Sequence, residues 1–127
     1  MVGTTLVKEW IEAGKRLTQA LDEANFRFVA SLWFYDPDTD DWRLIIASPL
    51  FDQEGPLGAY RAIQTVLDSL QQEDLRLSNI SVVSPDHHLI KLLRVALKTG
   101  EGISGIRFTR NRIKDQFIED AYIYRLT

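Results

Sequence analysis

His87, Lys91, Arg94 and Lys98 recur at intervals of four, three and four residues. That repeat places side chains on one face of an α-helix. Leu89, Ile90, Leu92, Leu93, Val95, Ala96 and Leu97 fill most of the positions between them. A helix this apolar buries much of its circumference and leaves one basic stripe in solvent. Arg107, Arg110, Arg112 and Lys114 carry positive charge on into the last part of the chain. If stripe and extension meet, these residues form a patch able to hold phosphates or an acidic protein surface. The plainer account is electrostatic housekeeping: cations favour a helix C-terminus, and any buried helix keeps one solvated face.

A second grouping comes from an internal echo. Ile45-Ile46-Ala47-Ser48-Pro49 and Ser81-Val82-Val83-Ser84-Pro85 are both apolar strand endings closed by Ser-Pro. If the two strands are parallel neighbours, Ser48 and Ser84 share the carboxyl edge of a sheet, where ligands and anions collect. Asp86 and His87 follow directly, and Asp52 could stand nearby. Ser48, Ser84, Asp86 and His87 are therefore the alternative, anion-directed site. Helix capping by serine and initiation by proline explain the same residues without a ligand.

Other patterns fail on inspection. Asp36, Asp38 and Asp40 imitate the start of a calcium loop, but the sixth position is Asp41 rather than glycine and the twelfth is Ala47 rather than glutamate. Aspartate and proline are also what a tight turn wants. Gly100, Gly102 and Gly105 match G-x-G-x-x-G but follow a helix and open a strand, the reverse of a dinucleotide site. Ser104 lacks the G-x-S-x-G elbow. His87 and His88 are adjacent, so on a helix they diverge and make no paired metal site. No Asp/Glu-x-Lys occurs; Asp41-Trp42-Arg43 and Asp74-Leu75-Arg76 come nearest, and arginine is a poor base. Trp10, Trp33 and Trp42 have no special spacing and read as core. No catalytic residue, metal or cofactor is assigned.

The elements that must position these groups follow from periodicity. Leu6, Trp10, Ala13, Leu17, Ala20 and Ala24 set an amphipathic helix over residues 5–24. Residues 26–36 and 42–48 read as strands joined by the Asp/Pro turn, an antiparallel hairpin. Pro49 ends the second strand, Gly55-Pro56 marks a loop, and a helix spans 57–72. A strand at 77–83 leads through Ser84-Pro85, as cap and first turn, into a helix over 86–99 that stops at a left-handed Gly100. Strands at 103–109 and 117–126 close the chain, with Arg110-Asn111-Arg112 near their turn and Phe108 and Phe117 flanking it. Tyr122 and Tyr124 share a face of the last strand. The order is α-β-β-α-β-α-β-β. Helical crossovers from the second to the third strand and from the third to the fourth favour parallel neighbours. The expected fold is a mixed α/β (α+β) single domain over residues 1–127: one mixed five-stranded sheet covered by three helices.

Composition narrows the partners. Through Asp86 there are 14 acidic and 7 basic side chains; from His87 onward there are 4 acidic and 8 basic, within a net charge of −3. Apolar residues at 45% and charged residues at 26% suit a soluble globular protein. A chain of 127 residues buries roughly two-thirds of its unfolded surface, enough for a core without staples. There is no cysteine, the N-terminus lacks a basic start followed by an apolar run, and no stretch nears the ~20 residues that span a bilayer. The expected location is cytoplasmic, away from membranes. The expected function is a non-catalytic protein-binding or adaptor domain contacting another protein or a second copy of itself. Nucleic-acid binding through the basic patch is the first alternative, and an enzyme acting on an anionic small molecule at the Ser-Pro edge is the second.

Overall fold

The computed structural model describes residues 5–127. Among them, helices α1 (Lys8–Glu23), α2 (Pro49–Leu70) and α3 (His88–Ala96) accompany strands β1 (Ala30–Asp36), β2 (Asp41–Ala47), β3 (Ile80–Val83), β4 (Ile106–Ile113) and β5 (Gln116–Leu126). The strands form one mixed sheet in the order β3-β2-β1-β5-β4. This is the expected α-β-β-α-β-α-β-β arrangement. No helix among the described residues is long and apolar enough to cross a membrane.

Pleat alternation divides the core into two layers. Trp33, Tyr35, Trp42, Leu44, Ile46, Val82 and Tyr124 face α1 and α2. Leu32, Ile45, Ala47, Ile118, Ala121 and Ile123 face the other way, where α3 inserts Ile90 and Leu93. α1 lies unusually close to the sheet at Gly14. A Cβ there would stand 2.7 Å from Trp33 Nε1 and closer still to the Tyr124 hydroxyl. The groups it would strike are anchored: Tyr124 Oη donates to Ile11 O at 2.6 Å and accepts from Trp33 Nε1 at 3.1 Å. Arg125 ties the end of β5 to α1 through a bidentate pair with Asp22 at 2.8 Å, its guanidinium 4.6 Å from the Phe28 ring.

β1 and β2 form the expected hairpin, in register from Ala30↔Ala47 to Asp36↔Asp41. The turn uses its own carboxylates: Asp36 Oδ1 accepts from Asp38 N at 2.9 Å, and Asp40 Oδ1 accepts from Tyr35 Oη at 2.7 Å. That bond with Asp40, reinforced by burial and by neighbouring carboxylates, pushes the Tyr35 phenol up to about 12. The raised value means the protonated phenol is the stabilised form. Its contribution is complete below pH 10 and is lost as pH climbs through about 12. Denaturation midpoints measured across that window should fall more steeply for the native chain than for Tyr35→Phe.

β2 and β3 are parallel neighbours, Ala47 opposite Val83, so the first helical crossover is as expected. The second is not. β4 does not lie beside β3 but at the opposite edge of the sheet, paired with β5 and antiparallel to it. β2 and β5 flank β1, so α3 must carry the chain across the whole sheet.

Several boundaries move for identifiable reasons. α2 starts at Pro49 rather than 57, because Ser48 caps it, accepting from Leu50 N at 3.1 Å. Gly55-Pro56 is a kink inside this helix: Gly55 adopts φ 79°, open to glycine, and Pro56 has no N–H to lose. Leu77–Asn79 form a 3-10 turn, which shortens β3. α3 is capped by His87, whose Nδ1 accepts from Leu89 N at 3.1 Å; Ser84-Pro85 form the turn before it rather than the cap. The helix ends at Ala96 and Leu97 is already extended, so Gly100 is not its left-handed cap. What ends it is tertiary: Thr99 N donates to Leu126 O, and Leu126 N to Thr99 Oγ1, each at 2.8 Å. The last turn lies at Lys114-Asp115, and Arg110-Asn111-Arg112 belong to β4.

Candidate functional site

The structure distributes the eight residues of the expected patch over three places. On α3 only Lys91 and Arg94 are helical; His87 is the cap and Lys98 lies past the helix end. Arg94 is turned inward, its Nε donating to Thr127 O at 2.8 Å. Lys91 and Lys98 are exposed and make no ion pair among the described residues. Arg107 sits on the other side of the sheet: its guanidinium lies 5.9 Å from the Trp42 ring, in the layer facing α1 and α2. It is held by Asp120 in a bidentate pair at 2.6 and 2.7 Å. The hydrogen bond with that carboxylate strengthens its hold on its proton. Arg110, Arg112 and Lys114 form the third group, at the β4–β5 hairpin end. Arg107 is therefore divided by the sheet from the cations of α3.

The hairpin end has a shape of its own. β1 pairs with β5 only as far as Phe34↔Ala121, whereas β4 and β5 continue pairing to Ile113↔Gln116. Residues 109–120 thus continue beyond the β1 register as a two-stranded ribbon. Arg110, at φ 47°, interrupts the alternation of β4. Ile106 and Phe108 pack on the α3-side core before it, and Ile113, five residues after Phe108, packs there too. On β5, Ile118 belongs to the same layer at 2% exposure, so its neighbour Phe117 must point the other way, where no helix covers it. Phe117 is 52% exposed and stands directly opposite Arg112. Arg110 is 4.0 Å from Glu119, with its side chain 75% exposed; Arg112 and Lys114 make no ion pair among the described residues. The ribbon therefore presents an aromatic ring, two unpaired cations and a third held loosely. The left-handed backbone at Arg110 and the charges beside it also guard β4, the outer edge, against indiscriminate strand addition.

The Ser-Pro endings do reach one edge: Ser48 N donates to Val83 O at 3.0 Å. Their hydroxyls are engaged there. Ser48 is fully buried, and its Oγ donates to Arg27 O while accepting from Leu50 N. Ser84 Oγ donates to Asp52 Oδ2 at 2.9 Å and accepts from Asp86 N at 3.0 Å. His87 Nδ1 is used by its own helix. A carboxylate on Ser84 and a buried Ser48 make a poor seat for an anion.

Two features escaped sequence reasoning. Phe117's exposure was legible from Ile118: on a strand, the neighbour of a core residue faces outward unless something covers it. The three tryptophans, without regular spacing, line one cleft of about 280 Å³ with Asp41, Glu73 and Asp74. Trp10 and Trp33 stack at 6.0 Å, and Trp33 and Trp42 are 2% and 3% exposed, so their main role is packing. Tyr122 and Tyr124 join the same layer with rings 5.4 Å apart, Tyr124 lying beneath α1.

Comparison with known proteins finds no matching family model, no matching curated protein and no matching solved structure.

Proposed function

We propose that this chain is a non-catalytic domain that binds another protein through the β4–β5 ribbon. The observation that carries this reading is the pairing of half-exposed Phe117 with Arg112 on a ribbon that outruns β1. Aromatic and arginine side chains dominate protein-binding energy when they are desolvated together. The complementary partner surface has an apolar pocket for Phe117 and carboxylates for Arg110, Arg112 and Lys114. The hydroxyl and imidazole groups at the Ser-Pro edge support a non-catalytic reading because each already serves the backbone or a neighbouring side chain. A second copy of the chain meets the charge requirement through its acidic Asp36–Asp41 turn.

A two-stranded ribbon also has the dimensions of a DNA major groove. Charge argues against that use. Residues 107–120 hold four cations and three carboxylates, and Arg107 is already neutralised by Asp120. Phosphate binding draws its strength from many unpaired cations.

The test is native co-purification with mass spectrometry, comparing the intact chain with Phe117→Ala/Arg112→Ala and with Lys91→Ala. The double substitution should lose the specific partner, with affinity down by at least about thirtyfold, the effect of one strong hot spot. Lys91→Ala should retain it. An unchanged partner set in the double variant would overturn the proposal, as would a salt-sensitive gel shift with nucleic acid abolished by the same substitutions.

A further inference from the structure

The kink in α2 has a second consequence. Its first segment, beginning at Pro49, and the segment after Gly55 enclose a cavity of about 460 Å³ with the chain that leads from α1 into β1. That volume lies within the usual range for small-molecule sites, about 300–1,000 Å³. Phe26, Leu50, Ala62 and Val66 supply apolar wall. The polar residues at its margin include Arg27 and Gln53, and no carboxylate lines it. Arg27 is exposed, and its guanidinium makes neither an ion pair nor a hydrogen bond among the described residues. The backbone around it is firmly placed: Arg27 O accepts from Ser48, and Phe26 N donates to Leu21 O at 2.9 Å.

An apolar cavity with Arg27 in its lining, no carboxylate beside it and that guanidinium uncompensated selects a particular ligand chemistry. The body must be apolar to gain from burial, and the head must carry a single negative charge, preferably on a planar group that a guanidinium can grip with two donors. We propose that this cavity binds a medium-chain aliphatic carboxylate, with the alkyl chain between Phe26, Leu50 and Val66 and the carboxylate on Arg27. The site is separate from the ribbon, so this inference stands whether or not the ribbon binds a protein.

Titration calorimetry with octanoate, hexanoate and 1-octanol tests it on the intact chain. Octanoate should bind saturably. Hexanoate should bind roughly fifteenfold more weakly, because each buried methylene is worth about a fourfold change in affinity. The alcohol should bind at least about tenfold more weakly, having lost a charge-assisted bond. Arg27→Ala should reduce octanoate binding to the level of the alcohol and leave the alcohol unaffected. Ala62→Leu should remove both by filling the cavity. Amide resonances of Phe26 and Val66 should shift on octanoate addition. Absence of saturable octanoate binding overturns the proposal, as does equal affinity in the intact chain and Arg27→Ala. Should Ala62→Leu not fold, the alcohol comparison and the exposed Arg27 position still decide the matter.

Discussion

Replacing Gly14 by valine is expected to lower the stability of this domain by about 3 kcal/mol, a fall in melting temperature of roughly 10 °C. The site explains the size. A Cβ on Gly14 meets Trp33 Nε1 at 2.7 Å and Tyr124 Cε2 at 3.0 Å, and presses harder still on the Tyr124 hydroxyl. Trp33 is 2% exposed and Tyr124 1%, so neither ring has space to retreat. Moving either one breaks the chain of bonds from Trp33 Nε1 through Tyr124 Oη to Ile11 O. Alanine should do less harm, since its helix propensity returns up to about 1 kcal/mol. A double-mutant cycle separates this contact from a general intolerance of bulk. Gly14→Ala should cost less in a Tyr124→Phe background, where the obstructing oxygen is gone, than in the native one. Additive costs would mean that the close approach of α1 to the sheet is described incorrectly.

Ser48→Val is the second large effect, expected at about 2–4 kcal/mol by urea denaturation. Valine removes the hydroxyl and has the shape of threonine, which serves as the control that keeps it. The Arg27 carbonyl then loses its donor and Leu50 N loses its cap, both at the fully buried Ser48 side chain. The loss spreads because Ser48 joins three segments: the chain before β1, the end of β3 through Ser48 N and Val83 O, and the start of α2. Ser48→Thr keeps the oxygen and should recover much of the difference. A cost below about 0.5 kcal/mol, the range of an ordinary surface substitution, would refute the capping role.

How much of this was legible in the sequence depends on whether the deciding interaction is local. The β1–β2 hairpin follows from two apolar runs and an Asp/Pro turn, although β1 begins at Ala30 rather than at residue 26. The parallel placement of β2 and β3 follows from the helix between them. The end of α3 does not follow, because Leu97, Lys98 and Thr99 continue a helical pattern, and only the distant Leu126 claims Thr99 for the sheet. Gly55-Pro56 looks like a loop until Ser48-Pro49 is recognised as the place where the helix begins. The last turn was misplaced because Asn111 is good turn chemistry, whereas the pairing of Asn111 with Ile118 and of Ile113 with Gln116 sets the register. That displacement governs the site. As part of β4, Arg110-Asn111-Arg112 run along the ribbon with Arg112 opposite Phe117. The position of β4 at the far edge was beyond local reading, since no residue type records how far a crossover travels.

Backbone hydrogen exchange of the chain with and without its co-purified partner examines the ribbon most directly. Protection should rise at residues 109–120, strongest around Arg112 and Phe117, while Lys91 and the rest of α3 exchange as before. New protection concentrated on α3, or an unaltered ribbon in the complex, would contradict the assignment.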